Sequence, residues 1–228
     1  MDLKRTAAKE ALQFINDKSA VGLGAGSTMA HLVDLLAEEM AKGLNIKLFT
    51  SSFTTRQLLF TKGFAVQAIS EISALDIYFD GCDQLDKDLN ALKSGGGIHT
   101  HEKLLASMAG QFIVVGDESK YTAHFDGRYP LVVELIPEGS LFVTKCIQNL
   151  IHGVKPVLRM NDKRDGPVIT ANGNYLMDVW ITGWPELEQI NPMLKSIPGV
   201  LETSLFYKLA HKAILAGNNG VKILERTS

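Results

Sequence analysis

Residues 20–32 read AVGLGAGSTMAHL, a short apolar run, three alternating glycines and then Ser27-Thr28 opening an apolar-periodic tail. Strand, glycine turn and helix in that order make the first βα unit of a parallel sheet. The free amides of a helix N-terminus and its dipole favour negative charge, and glycines let the backbone approach a ligand closely. The stretch therefore reads as an anion site. The alternative without a ligand is a tight turn with Ser27 as the helix cap. A dinucleotide site is the weaker alternative. Gly22-x-Gly24-x-Gly26 carries Ser27 where G-x-G-x-x-G needs glycine, and the next strand ends in Thr50-Ser51-Ser52 without a ribose-binding acid. No Gly-Lys-Ser/Thr follows, which removes the nucleoside-triphosphate loop. A small phosphate on backbone amides and the Ser27 and Thr28 hydroxyls remains. The hydroxyls of Ser51, Ser52, Thr54 and Thr55 open the next helix and serve either the same pocket or a cap.

The rest of the chain extends this alternation. Helices are predicted over 3–16, 28–41, 54–63 and from His101 to 110, and strands over 46–52, 64–69, 74–81 and 112–119. Short apolar strands alternating with helices imply a mostly parallel, Rossmann-like α/β sheet with helices on both faces. After Pro130 the order becomes β-α-β-β-α-β, with strands at 131–136, 155–160 and 167–181, helices at 140–153 and 185–199, and turns at Asp165-Gly166 and Asn172-Gly173-Asn174. This fits a smaller α+β, ferredoxin-like unit. A hairpin around Asn218-Asn219-Gly220 closes the chain and can return to the first sheet. The expected division is residues 1–130 and 206–228 as the main unit carrying the active site, and residues 131–205 as the smaller one.

The chain has 228 residues, 46% of them hydrophobic, enough for one sizeable core or a main unit with a companion. The net charge of −2 and the lack of a basic stripe argue against a nucleic-acid partner. No segment approaches a membrane span, and the charged start, MDLKRTAAKEALQFI, lacks the apolar core of a signal peptide. Two cysteines, Cys82 and Cys146, fit free thiols in a reducing compartment. A cytoplasmic protein is expected.

The densest chemistry lies in DGCDQLDKDLNALKSGGGIHTHEKL, residues 80–104. It follows an apolar strand, so Asp80 stands at the carboxyl end of the sheet, where open α/β folds bind ligands. Asp83 can converge with it across a turn. Lys93 precedes Ser94 and the run Gly95–Gly97, and Glu102 sits at a helix start. A carboxylate to take a proton, with amides and a lysine to stabilise an oxyanion, is the inventory for proton transfer beside a carbonyl. A solvated acidic loop, with Glu102 as an ordinary first-turn acid, is the competing reading. Asp83, Asp86, Asp88 and Asn90 lack the central glycine and distal glutamate of a calcium loop, and Leu105 breaks H-E-x-x-H. Trp180 and Trp184 read as packing residues.

Several ordered stretches together resemble the ribose-5-phosphate isomerase type A family over nearly the whole chain. VGLGAGST is similar to V-G-x-G-T-G-S-T, DIYFDGCDQLD to D-G-A-D-E-x-D, and LKSGGGIHTHEKLLAS to K-G-G-G-x-x-x-x-R-E-K-x-x-A-S. FIVVGDESK, GNYLMDV and IPGVLETSLF follow in the family's order. The resemblance implies interconversion of ribose 5-phosphate and ribulose 5-phosphate through an enediolate, with no metal or cofactor, in a homodimer or homotetramer. It places the proton-shuttling role on Glu102, with Asp80, Asp83 and Lys93 as its catalytic companions. It places substrate binding on Lys4, Ala25, Gly26, Ser27, Thr28, Gly81, Cys82, Ser94, Gly95, Gly96 and Lys120. Five positions depart from the family pattern: Ala25 stands for threonine, Cys82 for alanine, Gln84 for glutamate, Ser94 for glycine and His101 for arginine. The hydroxyl lost at Ala25 is worth about ten- to hundredfold in affinity. Gln84 and His101 bear on the charge around Glu102 and Lys93. These departures keep open a catalytically weak sugar-phosphate sensor, or another phosphosugar enzyme on a related fold.

Overall fold

The computed structural model describes residues 2–226; Met1, Thr227 and Ser228, at the ends of the expected main unit, lie outside the described residues. Helix α1 (Leu3–Leu12) leads to β1 (Ala20–Leu23), α2 (Ser27–Met40), β2 (Lys47–Thr50), α3 (Phe53–Thr61) and β3 (Leu75–Asp80). Two short strands follow, β4 (Gln84–Leu85) and β5 (Ala91–Leu92), then α4 (His99–Met108) and β6 (Ala109–Asp117). The second half contains β7 (Leu131–Leu135), α5 (Ser140–Leu150), β8 (Lys155–Leu158), β9 (Tyr175–Trp180), α6 (Leu187–Lys195) and β10 (Val200–Thr203). It ends with β11 (Leu205–Phe206), β12 (Lys212–Gly217) and β13 (Gly220–Glu225).

Six strands form one sheet in the order β13-β12-β6-β3-β1-β2. All pairs are parallel except the terminal hairpin β12–β13, whose β12 runs alongside β6. The period of two divides side chains between its faces. Val21, Leu23, Ile77, Phe79, Ile113 and Val115 pack with α1 and α2, while Tyr78, Phe112 and Val114 pack with Leu105 and Ala106 of α4. Strand β1 connects outward to β2, whereas β3 lies on its other side, so the order reverses between β1 and β3. A cleft opens beyond the carboxyl ends of strands at such a reversal.

The β7-α5-β8-β9-α6-β10 segment forms a four-stranded antiparallel sheet ordered β10-β7-β9-β8, the ferredoxin-like arrangement. Its core joins Val133, Leu135, Met177 and Val179 to Val143 and Ile147 of α5 and Ile190 and Leu194 of α6.

Three local readings differ from the sequence pattern. Residues 64–69 do not form a strand: they make one bridge, Val66 to Leu48, while Phe64 turns into the core, and the chain then enters a 3-10 turn at Ile69–Glu71. The first helix stops at Leu12 rather than reaching residue 16, ahead of a turn in which Lys18 has φ of 64°. The third, a small sheet ordered β11-β5-β4, carries no periodic signal because each of its strands spans two residues.

That small sheet joins the two halves. Phe206 is fully buried, 6.1 Å from the Phe112 ring, and the ammonium groups of Lys93 and Lys103 lie 5.8 and 5.3 Å from its centroid. Truncation to alanine removes ring packing and two cation–π contacts together. Phe206→Ala is expected to lower the unfolding free energy by about 3–5 kcal/mol in urea denaturation; a loss below about 1 kcal/mol would contradict this role.

Candidate active site

The cleft at the strand-order reversal encloses about 360 Å³. Its floor is built from the turns after β1 and β3. These approach so closely that a Cβ on Gly24 would stand 2.0 Å from Cγ of Asp80, so only glycine fits there. The Gly24 amide bonds the Phe79 carbonyl at 2.8 Å, and its carbonyl accepts from the Thr55 hydroxyl at 2.7 Å. Ser52 caps α3 by accepting from the Thr55 amide. Of the hydroxyls after β2, Ser52 is thus engaged in a cap and Thr55 in a backbone brace, and none of the four lines the cleft.

At one end lies a buried charge cluster. Asp80 is fully buried and accepts from Tyr78 Oη at 2.6 Å, Gly81 N at 2.7 Å and Ala25 N at 3.2 Å. Lys93 Nζ sits 2.9 Å from Asp80 and 3.4 Å from Glu102, and donates to the Gly81 carbonyl at 2.7 Å. Burial alone would depress the Lys93 ammonium, but the carboxylates of Asp80 and Glu102 outweigh it and hold the group above its ordinary value. Glu102 faces the opposite balance. Burial and the Asp80 charge both disfavour its ionised form, Lys93 only partly compensates, and its pKa rises to about 8. Two carboxylates share one ammonium, and Asp80 has the better hydrogen bonds, so the proton belongs to Glu102. Burial pushes the neighbouring Cys82 thiol up to about 12, which keeps it protonated and not a nucleophile.

The Lys93–Gly97 loop lies over this cluster. Asp83 accepts from the amides of Ser94 at 2.6 Å and Gly95 at 2.9 Å, while the Gly97 amide turns back to the Gly95 carbonyl. Two of the three glycine amides expected to meet an oxyanion are therefore engaged within the protein. The loop's contribution to a ligand narrows to Gly96 and the Lys93 ammonium.

The other end is cationic and rich in donors. Gly26, with φ of 99°, is the N-cap of α2 and offers no side-chain cap, so the helix amides face the cleft unblocked. Ser27 is the first helical residue rather than the cap, and accepts from Lys4 Nζ at 2.9 Å. Lys120 and Thr28 also line this end. An anion here would meet helix amides, two ammonium groups and two hydroxyls.

Thirteen of the fifteen residues singled out from sequence line this cleft: Lys4, Ala25, Gly26, Ser27, Thr28, Gly81, Cys82, Asp83, Lys93, Gly95, Gly96, Glu102 and Lys120. The other two do not. Asp80 lies beneath the floor and acts on Lys93 from behind. The Ser94 side chain turns away and donates to the Pro130 carbonyl at 2.6 Å. Val115, Gly116 and Asp117, at the carboxyl end of β6, also line the cleft and were missed, although the strand-end rule that located Asp80 applies equally to FIVVGD.

The remaining departures, Gln84 and His101, lie outside the cleft lining. Gln84 is buried and donates to Asp126 at 2.8 Å, a bond that a carboxylate in its place could not make. His101 lies on another face of α4, in a surface groove with Leu104 and Ser107, because adjacent helical residues diverge by about 100°. Among the described residues, no three His, Cys, Asp or Glu side chains are grouped to hold a metal ion.

A carboxyl whose pKa is higher in the fold than in the unfolded chain binds its proton more tightly when folded. The Glu102 contribution to stability is therefore present at low pH and is lost as pH rises from the ordinary 4.5 towards about 8. Glu102→Gln removes this loss. The Tm of the variant minus that of the wild type should grow across that interval in scanning calorimetry; a constant or shrinking difference would contradict the buried, proton-holding environment.

The family model for ribose 5-phosphate isomerase A (phosphoriboisomerase A) matches residues 47–220. The ribose-5-phosphate isomerase A of Pyrococcus abyssi is 36% identical over 99% of this chain and 98% of its own length. That of Rhodopseudomonas palustris strain BisB18 is 37% identical over the same shares. The solved ribose 5-phosphate isomerase A of Methanocaldococcus jannaschii superposes with a TM-score of 0.91 at 33% identity, covering 98% of both chains. A D-ribose-5-phosphate isomerase in complex with phospho-erythronic acid gives 0.93 at 34% identity, covering 99% of this chain and 98% of that one. With the fold, the cleft and these full-length likenesses in agreement, the chain belongs to the ribose 5-phosphate isomerase A family.

Proposed function

We propose that this protein interconverts ribose 5-phosphate and ribulose 5-phosphate through an enediolate. The observation that carries this reading is the pairing, in one small cleft, of a proton-holding Glu102 beside Lys93 with an unblocked helix N-terminus flanked by Lys4 and Lys120. The first suits a reacting carbonyl and the second a phosphate. A relative solved with phospho-erythronic acid, a phosphorylated sugar acid, supports a ligand of this class.

In the aldose-to-ketose direction, ionised Glu102 removes the C2 proton as the C1 carbonyl oxygen takes up negative charge. Lys93 and the Gly96 amide stabilise that oxygen. Asp83, which lines the cleft, holds sugar hydroxyls and carries a proton from O2 to O1. Glu102 then returns its proton to C1, so no proton is gained or lost overall. Asp80 fixes Lys93 from below rather than touching the sugar. The phosphate rests on the amides at the start of α2, with Ser27, Thr28, Lys4 and Lys120. Gly81, Cys82 and Gly95 form the wall between the two ends, and Ala25 contributes backbone but no hydroxyl. Residues 1–130 and 206–228 would form the site-bearing unit and 131–205 its companion.

Exposed Leu141 and Phe142 on α5 support assembly into a homodimer or homotetramer. The unpaired Cys82 and Cys146 support a cytoplasmic setting. No helix among the described residues is long and apolar enough to cross a membrane.

In deuterated water, deuterium should enter C2 of the ribose 5-phosphate formed from ribulose 5-phosphate only in those turnovers in which the Glu102 carboxyl exchanges with solvent before returning its proton. Glu102→Gln should lower kcat by about a thousandfold. A variant within about tenfold of wild type would overturn the assignment of the base.

A further inference from the structure

The Lys93–Gly97 loop is gripped from the four-stranded sheet as well as from its own side of the cleft. Arg159, just after β8, donates from Nη2 to the Ser94 carbonyl at 2.8 Å. Its Nε is 3.1 Å from both carboxylate oxygens of Asp178 on β9, and its backbone amide bonds the Leu176 carbonyl at 2.8 Å. The guanidinium is thus aimed by an ion pair whose two side chains are only 22% and 19% exposed.

The Ser94 carbonyl and the Gly95 amide belong to one rigid peptide unit. Arg159 holds the oxygen of that unit at 2.8 Å, and Asp83 holds its N–H at 2.9 Å from the opposite side. Were the plane to flip, the carbonyl oxygen would turn on the Asp83 carboxylate and both groups would lose their partners. The two preceding peptides are held as well, since Ser94 N bonds Asp83 and Lys93 N bonds the Ser204 carbonyl at 3.0 Å. The Ser94 hydroxyl, which the family pattern lacks, adds its bond to the Pro130 carbonyl.

We propose that Arg159 is a positioning residue for isomerisation: oriented by Asp178, it locks the Ser94–Gly95 peptide, and so fixes both the Asp83 carboxylate and the backbone that carries Lys93. It touches no substrate and acts only through this loop. The proposal rests on the isomerase reading above. Displacement of reacting groups by about 1 Å costs on the order of a hundredfold in rate.

The test compares wild type with Arg159→Lys, Arg159→Met and Asp178→Asn, each at a temperature where circular dichroism shows it folded. Two readouts are taken: kcat and KM for ribose 5-phosphate, and amide hydrogen exchange of the peptide spanning residues 93–97. Arg159→Met should lower kcat by about ten- to a hundredfold with KM within about threefold, and speed exchange in 93–97. Arg159→Lys keeps the charge but cannot hold both partners, so it should recover only part of kcat. Asp178→Asn should give a smaller fall in the same direction. A kcat within twofold of wild type in Arg159→Met, or full rescue by Arg159→Lys, would overturn the proposal. If Arg159→Met does not fold and Arg159→Lys has wild-type kcat, the pair is structural only and the proposal is likewise overturned. A wild type inert towards ribose 5-phosphate removes the isomerase reading instead, and faster exchange of 93–97 in the variants would then still show the loop clamp.

Discussion

Two buried carboxylates compete for one buried ammonium, and much of the molecule's design follows from that imbalance. Asp80, Lys93 and Glu102 carry side-chain exposures of 0, 8 and 5%. In so dry a place neither an unpaired lysine nor a pair of free carboxylates is affordable. Tyr78, Gly81 and Ala25 add their donors to Asp80. Glu102 is left with a longer contact to Lys93 and with the proton. A carboxyl held near the pH of the cell can both release and accept a proton, which is what transfer between two carbons requires. The same geometry explains Gly24, where no side chain could coexist with Asp80.

The cleft separates its charge into two zones. The end that holds Glu102 and Lys93 is closely balanced and nearly dry. The other end combines helix amides with Lys4 and Lys120, a cationic surface that can hold a phosphate without drawing Glu102 into a salt bridge. The parallel sheet makes this separation cheap, because the turns after β1, β3 and β6 all emerge on one side of it. The second sheet supplies the remaining constraint through Arg159, and the three-stranded sheet with Phe206 fastens the assembly from beneath.

Much of this was legible in the sequence, for specific reasons. The alternation of short apolar strands with helices pointed to the parallel sheet, and the β-α-β-β-α-β spacing to the four-stranded antiparallel one. Glycine turns beside Asp80 and Lys93 marked the cleft. What escaped depended on long-range pairing. Strands of two residues have no period, so β4, β5 and β11 were invisible. Residues 64–69 have strand composition, but Phe64 was claimed by the core and left one bridge behind. Asp80 could be placed at a strand end but not known to lie under the floor. Nothing local predicts that Asp83 would engage the Ser94 and Gly95 amides, or that Arg159, 65 positions beyond Ser94, would hold its carbonyl. The alarm raised by His101 was a linear-sequence artefact, since its neighbour Glu102 points elsewhere on the helix.

The central claim is that Glu102 holds a proton up to about pH 8 because it is buried beside the Asp80 carboxylate, with Lys93 shared between the two only partly compensating. Carbon-13 NMR of glutamate-labelled protein, with the Glu102 carboxyl assigned by difference against Glu102→Gln, reads that proton directly. A titration midpoint near 8, well above the ordinary 4.5, is predicted. A Glu102 carboxyl already fully ionised at pH 6 would contradict the shared-charge arrangement and the proton-transfer role built on it.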